Sequence, residues 1–140
     1  MYARVPCTRI IPIQETIPDC FSESADSEKI HSNTIPSANI GETDTHYIIT
    51  IAAPGLFREA FQIEIENSII NISALKEKIK TKYKIDRCEY NYSDWTRSFQ
   101  LPDDADSMLA QAKYVHGELI IHIPRSESNE NMVKASIYVY

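Results

Sequence analysis

The segment 95–124 constrains the fold more than any other part of the chain, because its side chains alternate in polarity and its runs end at turn residues. The first run ends at Pro102, since proline has no N–H to donate to a neighbouring strand. Two further strands are predicted at 112–115 and 119–123, with a turn between them at Gly117. Every second residue of a strand points to the same face. In the first strand, one face is therefore formed by Trp95, Arg97, Phe99 and Leu101.

The same period-two pattern predicts more strands earlier in the chain. Apolar residues occupy both faces of 46–52, which indicates a central strand of a sandwich. A Pro54-Gly55 turn follows, and 61–66 then alternates apolar with polar side chains, which predicts one dry and one wet face. A turn at Asn67-Ser68 and another strand at 69–74 follow. The order of strands and turns is typical of an antiparallel meander.

Bulk composition limits the classes of function. The chain has 140 residues and a formal net charge of -6, whereas a nucleic-acid footprint needs a clustered basic face. The cysteines at 7, 20 and 88 are odd in number, so they cannot all pair within the chain and are expected to be reduced thiols. No run of about 18 apolar residues occurs, and no signal peptide is recognisable. We therefore expect a cytoplasmic protein without nucleic-acid or membrane partners.

The ordered motif aromatic-x-R-x-F-x-L-P, aspartate, A-x-x-x-x-G-x-L and a closing I-P resembles the α-crystallin domain of small heat-shock proteins of the bacterial type. The resemblance implies an all-β, immunoglobulin-like antiparallel β-sandwich at 37–124. It also implies a flexible N-terminal arm at 1–36 and a C-terminal tail at 125–140. The residues that carry the motif are Trp95, Arg97, Phe99, Leu101, Pro102, Asp106, Ala112, Gly117, Leu119 and Pro124.

The activity that this resemblance implies is ATP-independent holding of partly unfolded client proteins, which suppresses their aggregation under heat or other stress. The chain carries no phosphate loop, dinucleotide motif or nucleophile–base constellation, and its histidines lack metal-ligand spacing. We therefore expect no enzyme, no cofactor and no metal. An alternative is a monomeric co-chaperone of the CS-domain type, which shares the sandwich but lacks the terminal anchor and the exchange loop.

The long loop at 76–89 has an alternating pattern of its own. Lysines at 80, 82 and 84 occupy one face, as on an edge strand that is protected from uncontrolled pairing. In the family the corresponding loop crosses to a partner subunit, so the resemblance predicts a strand-exchanged dimer; an edge hairpin kept within the subunit is the alternative. The residues predicted at the dimer interface are Ile79, Thr81, Tyr83, Ile85 and Arg97.

The tail ends in an Ile137-x-Val139 pattern that resembles the family's terminal anchor. The polar stretch 125–136 reaches at most about 40 Å when extended and spans about 20 Å as a coil, so a neighbouring subunit lies within range. The resemblance places the receiving groove between strands 61–66 and 112–115, and thus predicts a larger homo-oligomer built from dimers. The predicted groove residues are Phe61, Ile63, Ile65, Ala112 and Tyr114.

Apolar residues are scattered through the N-terminal arm, which has no sustained period of its own. The resemblance favours an arm that contacts clients, whereas a tail without function is the alternative. The arm also contains a second I-x-I pattern at 11–13, which we expect to compete with the tail for the groove. The predicted client-binding residues are Ile10, Ile11, Ile13, Ile17 and Phe21.

Overall fold

A computed structural model describes residues 7–13, 35–76, 82–84, 86, 94–126 and 134–140 of the chain. The described residues form two antiparallel sheets and a single 3₁₀ turn at Arg58–Ala60. The strands are β1 (Ile11–Pro12), β2 (Ala38–Glu42), β3 (His46–Ala52), β4 (Phe61–Glu66), β5 (Ile69–Ala74), β6 (Trp95–Gln100), β7 (Gln111–Val115), β8 (Glu118–Pro124) and β9 (Lys134–Ile137).

The sheets form the two layers of a β-sandwich. The five-stranded sheet has the order β1-β6-β5-β4-β9, and the four-stranded sheet has the order β2-β3-β8-β7. The predicted all-β antiparallel sandwich is therefore confirmed. Strand β3 pairs with β2 on one side and β8 on the other, so the prediction that 46–52 is a central strand is also correct.

Two hairpin turns connect neighbouring strands where the sequence predicted them. Asn67 and Ser68 both have positive φ between β4 and β5, and so do His116 and Gly117 between β7 and β8. Two consecutive residues with positive φ match the twist of antiparallel strands and close a hairpin with a short loop. These turns fix the registers in which Ile65 lies opposite Ile70 and Tyr114 opposite Leu119.

The core lies between the facing sides of the two sheets. Alternate residues of β3, β4, β5 and β8 are buried, and no charged or polar residue among those described is buried. The completely buried side chains are branched aliphatics and two rings, which pack into a dry interior. The largest of them are Tyr47, Phe99, Ile49, Ile51, Ile63, Ile65, Ile70, Ile72, Leu101, Leu119, Ile121 and Ile123.

The segments that flank the sandwich each add one strand to it. Strand β1, from the arm, pairs with β6, and strand β9, from the tail, pairs with β4. The domain boundaries at 37 and 124 stay predictions, although β2 begins at Ala38 and β8 ends at Pro124. Of the predicted exchange strand, Ile79, Thr81 and Ile85 lie outside the described residues, and Tyr83 is exposed.

Candidate functional site

The candidate site is the sandwich edge at which the tail joins strand β4. Ile137 lies opposite Ile63, and Ala135 lies opposite Ile65, in an antiparallel register that extends to Lys134. The main-chain bonds of this ladder do not depend on side-chain identity, so the alternating side chains supply the specificity. The tail therefore binds as an added strand.

Beyond β9 the tail leaves the five-stranded sheet and bonds to the four-stranded one. Val139 forms a parallel bridge with Ala112. The Tyr140 amide donates to the Ala112 carbonyl oxygen at 3.0 Å, and the Tyr114 amide donates to the Tyr140 carbonyl oxygen at 2.8 Å. The tail thus spans the gap between β4 and β7 and covers an edge of each sheet.

The two faces of the tail differ in exposure. Ile137 and Val139 are partly buried and pack against the core, whereas Tyr138 is 84% exposed and Tyr140 is 72% exposed. This alternation follows from strand geometry, in which successive side chains point to opposite sides. Only the face that carries Ile137 and Val139 therefore contacts the groove.

Aromatic rings form part of the groove floor. The centroids of the Phe61 and Tyr114 rings are 4.9 Å apart at an interplanar angle of 51°, and the centroid of the Trp95 ring lies 6.2 Å from that of Phe61. The Tyr114 hydroxyl donates to the Ala53 carbonyl oxygen at 2.7 Å, so the polar end of this ring is satisfied. The structure brings all five predicted groove residues to this edge and adds Trp95, which the sequence interpretation did not place there.

A cavity of about 470 Å³ lies beside the bound tail. It is lined by Met108, Leu109, Ile137 and a pair of histidines, His46 and His122, whose rings meet edge to face at 6.2 Å. Sequence reasoning missed this cavity, because its wall combines strands β3 and β8 with a loop and the tail. No local pattern marks such a combination.

A polar network fixes the point at which the chain leaves β8. The Tyr47 hydroxyl donates to Asp104 Oδ1 at 2.5 Å, and Arg125 Nε donates to Asp104 Oδ2 at 2.9 Å. Arg125 also lies over the Tyr47 ring, 5.0 Å from its centroid, and donates to the Thr43 carbonyl oxygen at 3.2 Å. The network ties the loop before β7 to the base of the tail.

Two pKa values reflect this network. Burial, together with the hydrogen bond to the carboxylate, raises the pKa of Tyr47 to about 12. Partial burial of Asp104 opposes its charge, but the bonds from Tyr47 and Arg125 outweigh that effect and lower the pKa of the carboxyl group. Asp104 is therefore an ionised acceptor and Tyr47 a neutral donor at neutral pH.

Arg97 finds its partners within the chain. One guanidinium nitrogen donates to the Pro36 carbonyl oxygen at 3.0 Å, and the guanidinium carbon lies 4.9 Å from the centroid of the Phe99 ring. A carbonyl oxygen and the face of an aromatic ring are two kinds of partner that compensate for the partial burial of an arginine. Its predicted role in a dimer interface stays a prediction.

The arm residues that the structure describes lie at the opposite edge of the five-stranded sheet from the tail. Ile10 is buried in the core with 6% exposure, Ile11 is 48% exposed, and Ile13 is half-buried. Ile17 and Phe21 lie outside the described residues. The segment 11–13 pairs with β6 and not with the groove strands, so this structure places the two I-x-I patterns at different edges.

Searches for a metal site and for a membrane span gave no candidate within the described ranges. No group of three or more histidine, cysteine, aspartate or glutamate residues there could hold a metal ion. No helix there is long and apolar enough to cross a membrane.

The two-layer sandwich and the tail strand added at its edge define a class of protein, and the known proteins to which this chain is similar belong to the same class. The model of the Hsp20/alpha crystallin family matches residues 39–139. Small heat shock protein C2 of Rickettsia felis is 33% identical over 112 residues, which are 79% of this chain and 71% of that protein.

Solved structures share the fold. A small heat-shock protein from Xylella fastidiosa gives a TM-score of 0.62 at 24% identity and covers 71% of this chain and 93% of its own. HspA from Xanthomonas axonopodis gives a TM-score of 0.58 at 26% identity, over 64% of this chain and 92% of its own. The chain belongs to the Hsp20/alpha crystallin family of small heat-shock proteins. This confirms the resemblance read from the sequence and supports a chaperone role in general.

Proposed function

We propose that this protein is an ATP-independent holding chaperone of the cytoplasm, which binds partly unfolded client proteins and assembles through its tail. The observation that carries the proposal is the added strand at the sandwich edge, where Ile137 and Val139 pack against the core. A surface that accepts an extended apolar segment suits the capture of chains that have lost their own packing. Binding such chains opposes their aggregation.

The same contact supports assembly of several copies. Here the tail lies on the groove of its own chain, and the tail of a second copy can bind there in the same register. Burial of an isoleucine and a valine is worth about 3 to 5 kcal/mol before ordering costs, which is weak for one contact. Repeated around a closed particle, such contacts give large assemblies whose subunits still exchange.

The test combines light scattering with an aggregation assay. We expect a large assembly at low temperature that redistributes on heating, and suppression without ATP of the aggregation of a heat-unfolding reporter enzyme. A temperature-independent monomer that leaves the reporter's aggregation unchanged would contradict the proposal. That result would favour the monomeric co-chaperone of the CS-domain type.

A further inference from the structure

The outer edge of β6, at the side of the five-stranded sheet away from the tail, is covered by a short piece of the arm. Ile11 lies opposite Gln100, Pro12 lies opposite Phe99, and the Ile13 amide donates to the Ser98 carbonyl oxygen at 3.0 Å. Strand β1 has 2 residues, whereas β6 has 6. The described residues of the arm therefore occupy one end of this edge.

The arm also places one side chain in the core. Ile10 is 6% exposed, whereas its neighbour Ile11 is 48% exposed. A cleft of about 400 Å³ adjoins Ile10. It lies between the arm, which contributes Thr8, Arg9 and Ile10, and strands β2 and β3, which contribute Ile40, Gly41, Glu42 and Tyr47. Displacement of the arm joins the space that Ile10 fills to this cleft, so a branched or aromatic apolar side chain fits there.

Within the described segment 7–13, few other contacts hold the arm in place. The Asp103 amide donates to the Cys7 carbonyl oxygen at 3.0 Å, and the Cys7 amide donates to Asp103 Oδ2 at 3.1 Å. The β1–β6 register contains two residue pairs, whereas the β5–β6 register contains six. Segments with few paired residues and few buried side chains open first in local unfolding. The arm is the part of this sheet that is easiest to displace.

We propose that the β6 edge and the Ile10 pocket form a binding site for an extended segment of an unfolded client chain, which displaces residues 7–13. The recognised segment has a β-strand conformation and carries one branched or aromatic apolar residue at the position of Ile10. The inference rests on the proposed holding function and deepens it by naming a client site.

The chemistry of the bound arm shows why such a client fits. A strand added at a sheet edge gains main-chain hydrogen bonds whatever its sequence, and a pocket for an alternate side chain adds selectivity. Unfolded chains expose both their backbone and their apolar side chains. In this arrangement Ile10 competes with clients, whereas the exposed Ile11 lies on the opposite face of the same segment.

The first experiment locks the arm onto the edge. Asp103→Cys, in a full-length chain that also carries Cys20→Ser and Cys88→Ser, can form a disulfide with Cys7, because the two backbones already share a hydrogen bond. The probe is a fluorescent peptide with the sequence of residues 8–13. We expect the oxidised protein to bind it at least about tenfold more weakly than the reduced protein, which corresponds to about 1.4 kcal/mol. Equal affinity in the two states would overturn the proposal.

A second measurement does not depend on disulfide formation. Ile10→Ala in the otherwise unchanged chain should raise peptide affinity about tenfold, whereas the matched control Ile11→Ala should change it less than threefold. The Ile13 amide should exchange with solvent faster in the first variant only, because it is bonded to Ser98 across the edge. Equal effects of the two substitutions would show that the pocket does not select the side chain.

The aggregation assay then separates this site from the holding function. If reduced protein suppresses aggregation of the heat-unfolding reporter enzyme and oxidised protein does not, the edge is a client site. If both suppress aggregation equally, the holding function stands and the client site at β6 is wrong. If neither form suppresses aggregation, the proposed holding function is wrong. Equal affinity of the peptide for the oxidised and the reduced protein would then refute the edge site as well.

Discussion

The two outer edges of the five-stranded sheet are both covered by segments that flank the sandwich, but they are covered differently. Strand β9 pairs four residues with β4 and continues to β7 of the other sheet, over a floor that includes Phe61 and Tyr114. Strand β1 pairs two residues with β6 and inserts the single side chain of Ile10. The tail is thus held at its edge by more contacts than the described part of the arm is held at the other edge, so we expect the arm to detach more easily.

The largest effect is expected at the tail edge. Ile137→Ala with Val139→Ala removes both side chains that pack against the core, so the anchoring contact loses most of its estimated 3 to 5 kcal/mol. We expect large assemblies to fall to dimers or smaller species in light scattering. The matched control is Tyr138→Ala, since this ring is 84% exposed and faces away from the groove. Loss of assembly in the control alone would contradict the assigned faces.

The next prediction concerns the loop at 76–89, which the family resemblance identifies as an exchange loop. Deletion of residues 78–84 should leave a folded monomer if this loop exchanges between subunits, because its strand then makes the dimer. Mass by light scattering and far-UV circular dichroism together measure the outcome. An unchanged dimer after deletion would favour the alternative of an edge hairpin kept within the subunit.

A smaller effect on stability is expected at the arm edge. Ile10→Ala should lower the free energy of unfolding by about 1 to 2 kcal/mol, less than the 2 to 5 typical of a core isoleucine, because the arm can detach and leave no cavity. Urea denaturation measures this difference. Ile63 in β4 is 1% exposed, so Ile63→Ala should lower the free energy of unfolding by about 2 to 5 kcal/mol. Equal losses at the two positions would show that the arm is as firmly held as the core.

The smallest effect is expected at the network that positions the base of the tail. Because the folded protein lowers the pKa of Asp104, its carboxylate stabilises the fold above the unfolded pKa of about 4, and this contribution is lost as the pH falls through the folded pKa. Asp104 and Arg125 are each more than a third exposed, so solvent screening limits the effect to about 1 kcal/mol or less.

Asp104→Asn tests this network directly. The variant should be less stable than the parent chain at pH 7 in urea denaturation. The difference should shrink as the pH falls from about 4 through the lower folded pKa, at which the parent carboxyl becomes protonated. Arg58, whose contact with Glu59 is fully exposed, provides the control, since Arg58→Ala should have no measurable effect. A pH-independent difference for the Asp104 variant would assign its effect to shape and not to charge.

Much of the fold could be predicted because strands and hairpins leave local marks. The alternation in 61–66 and 69–74 gave both strands, and the turn between them lies where Asn67 and Ser68 were expected to form one. The groove residues could be named because the resemblance orders the strands around the groove. The partners of Arg97 could not be named from the sequence, since Pro36 is 61 residues away in the chain.

The sequence by itself determined which residues form strands β3 to β8, where the main turns fall and which face of these strands is apolar, because these properties depend on neighbouring residues and on backbone geometry. Only the tertiary structure decided that the arm covers β6 while the tail covers β4, that Ile10 is buried beside the exposed Ile11, and that Tyr47 meets Asp104, which lies 57 positions further along the chain. Those arrangements depend on which sheet edges are left open after the sandwich closes. That is a property of the whole packed molecule, and no short stretch of sequence carries it.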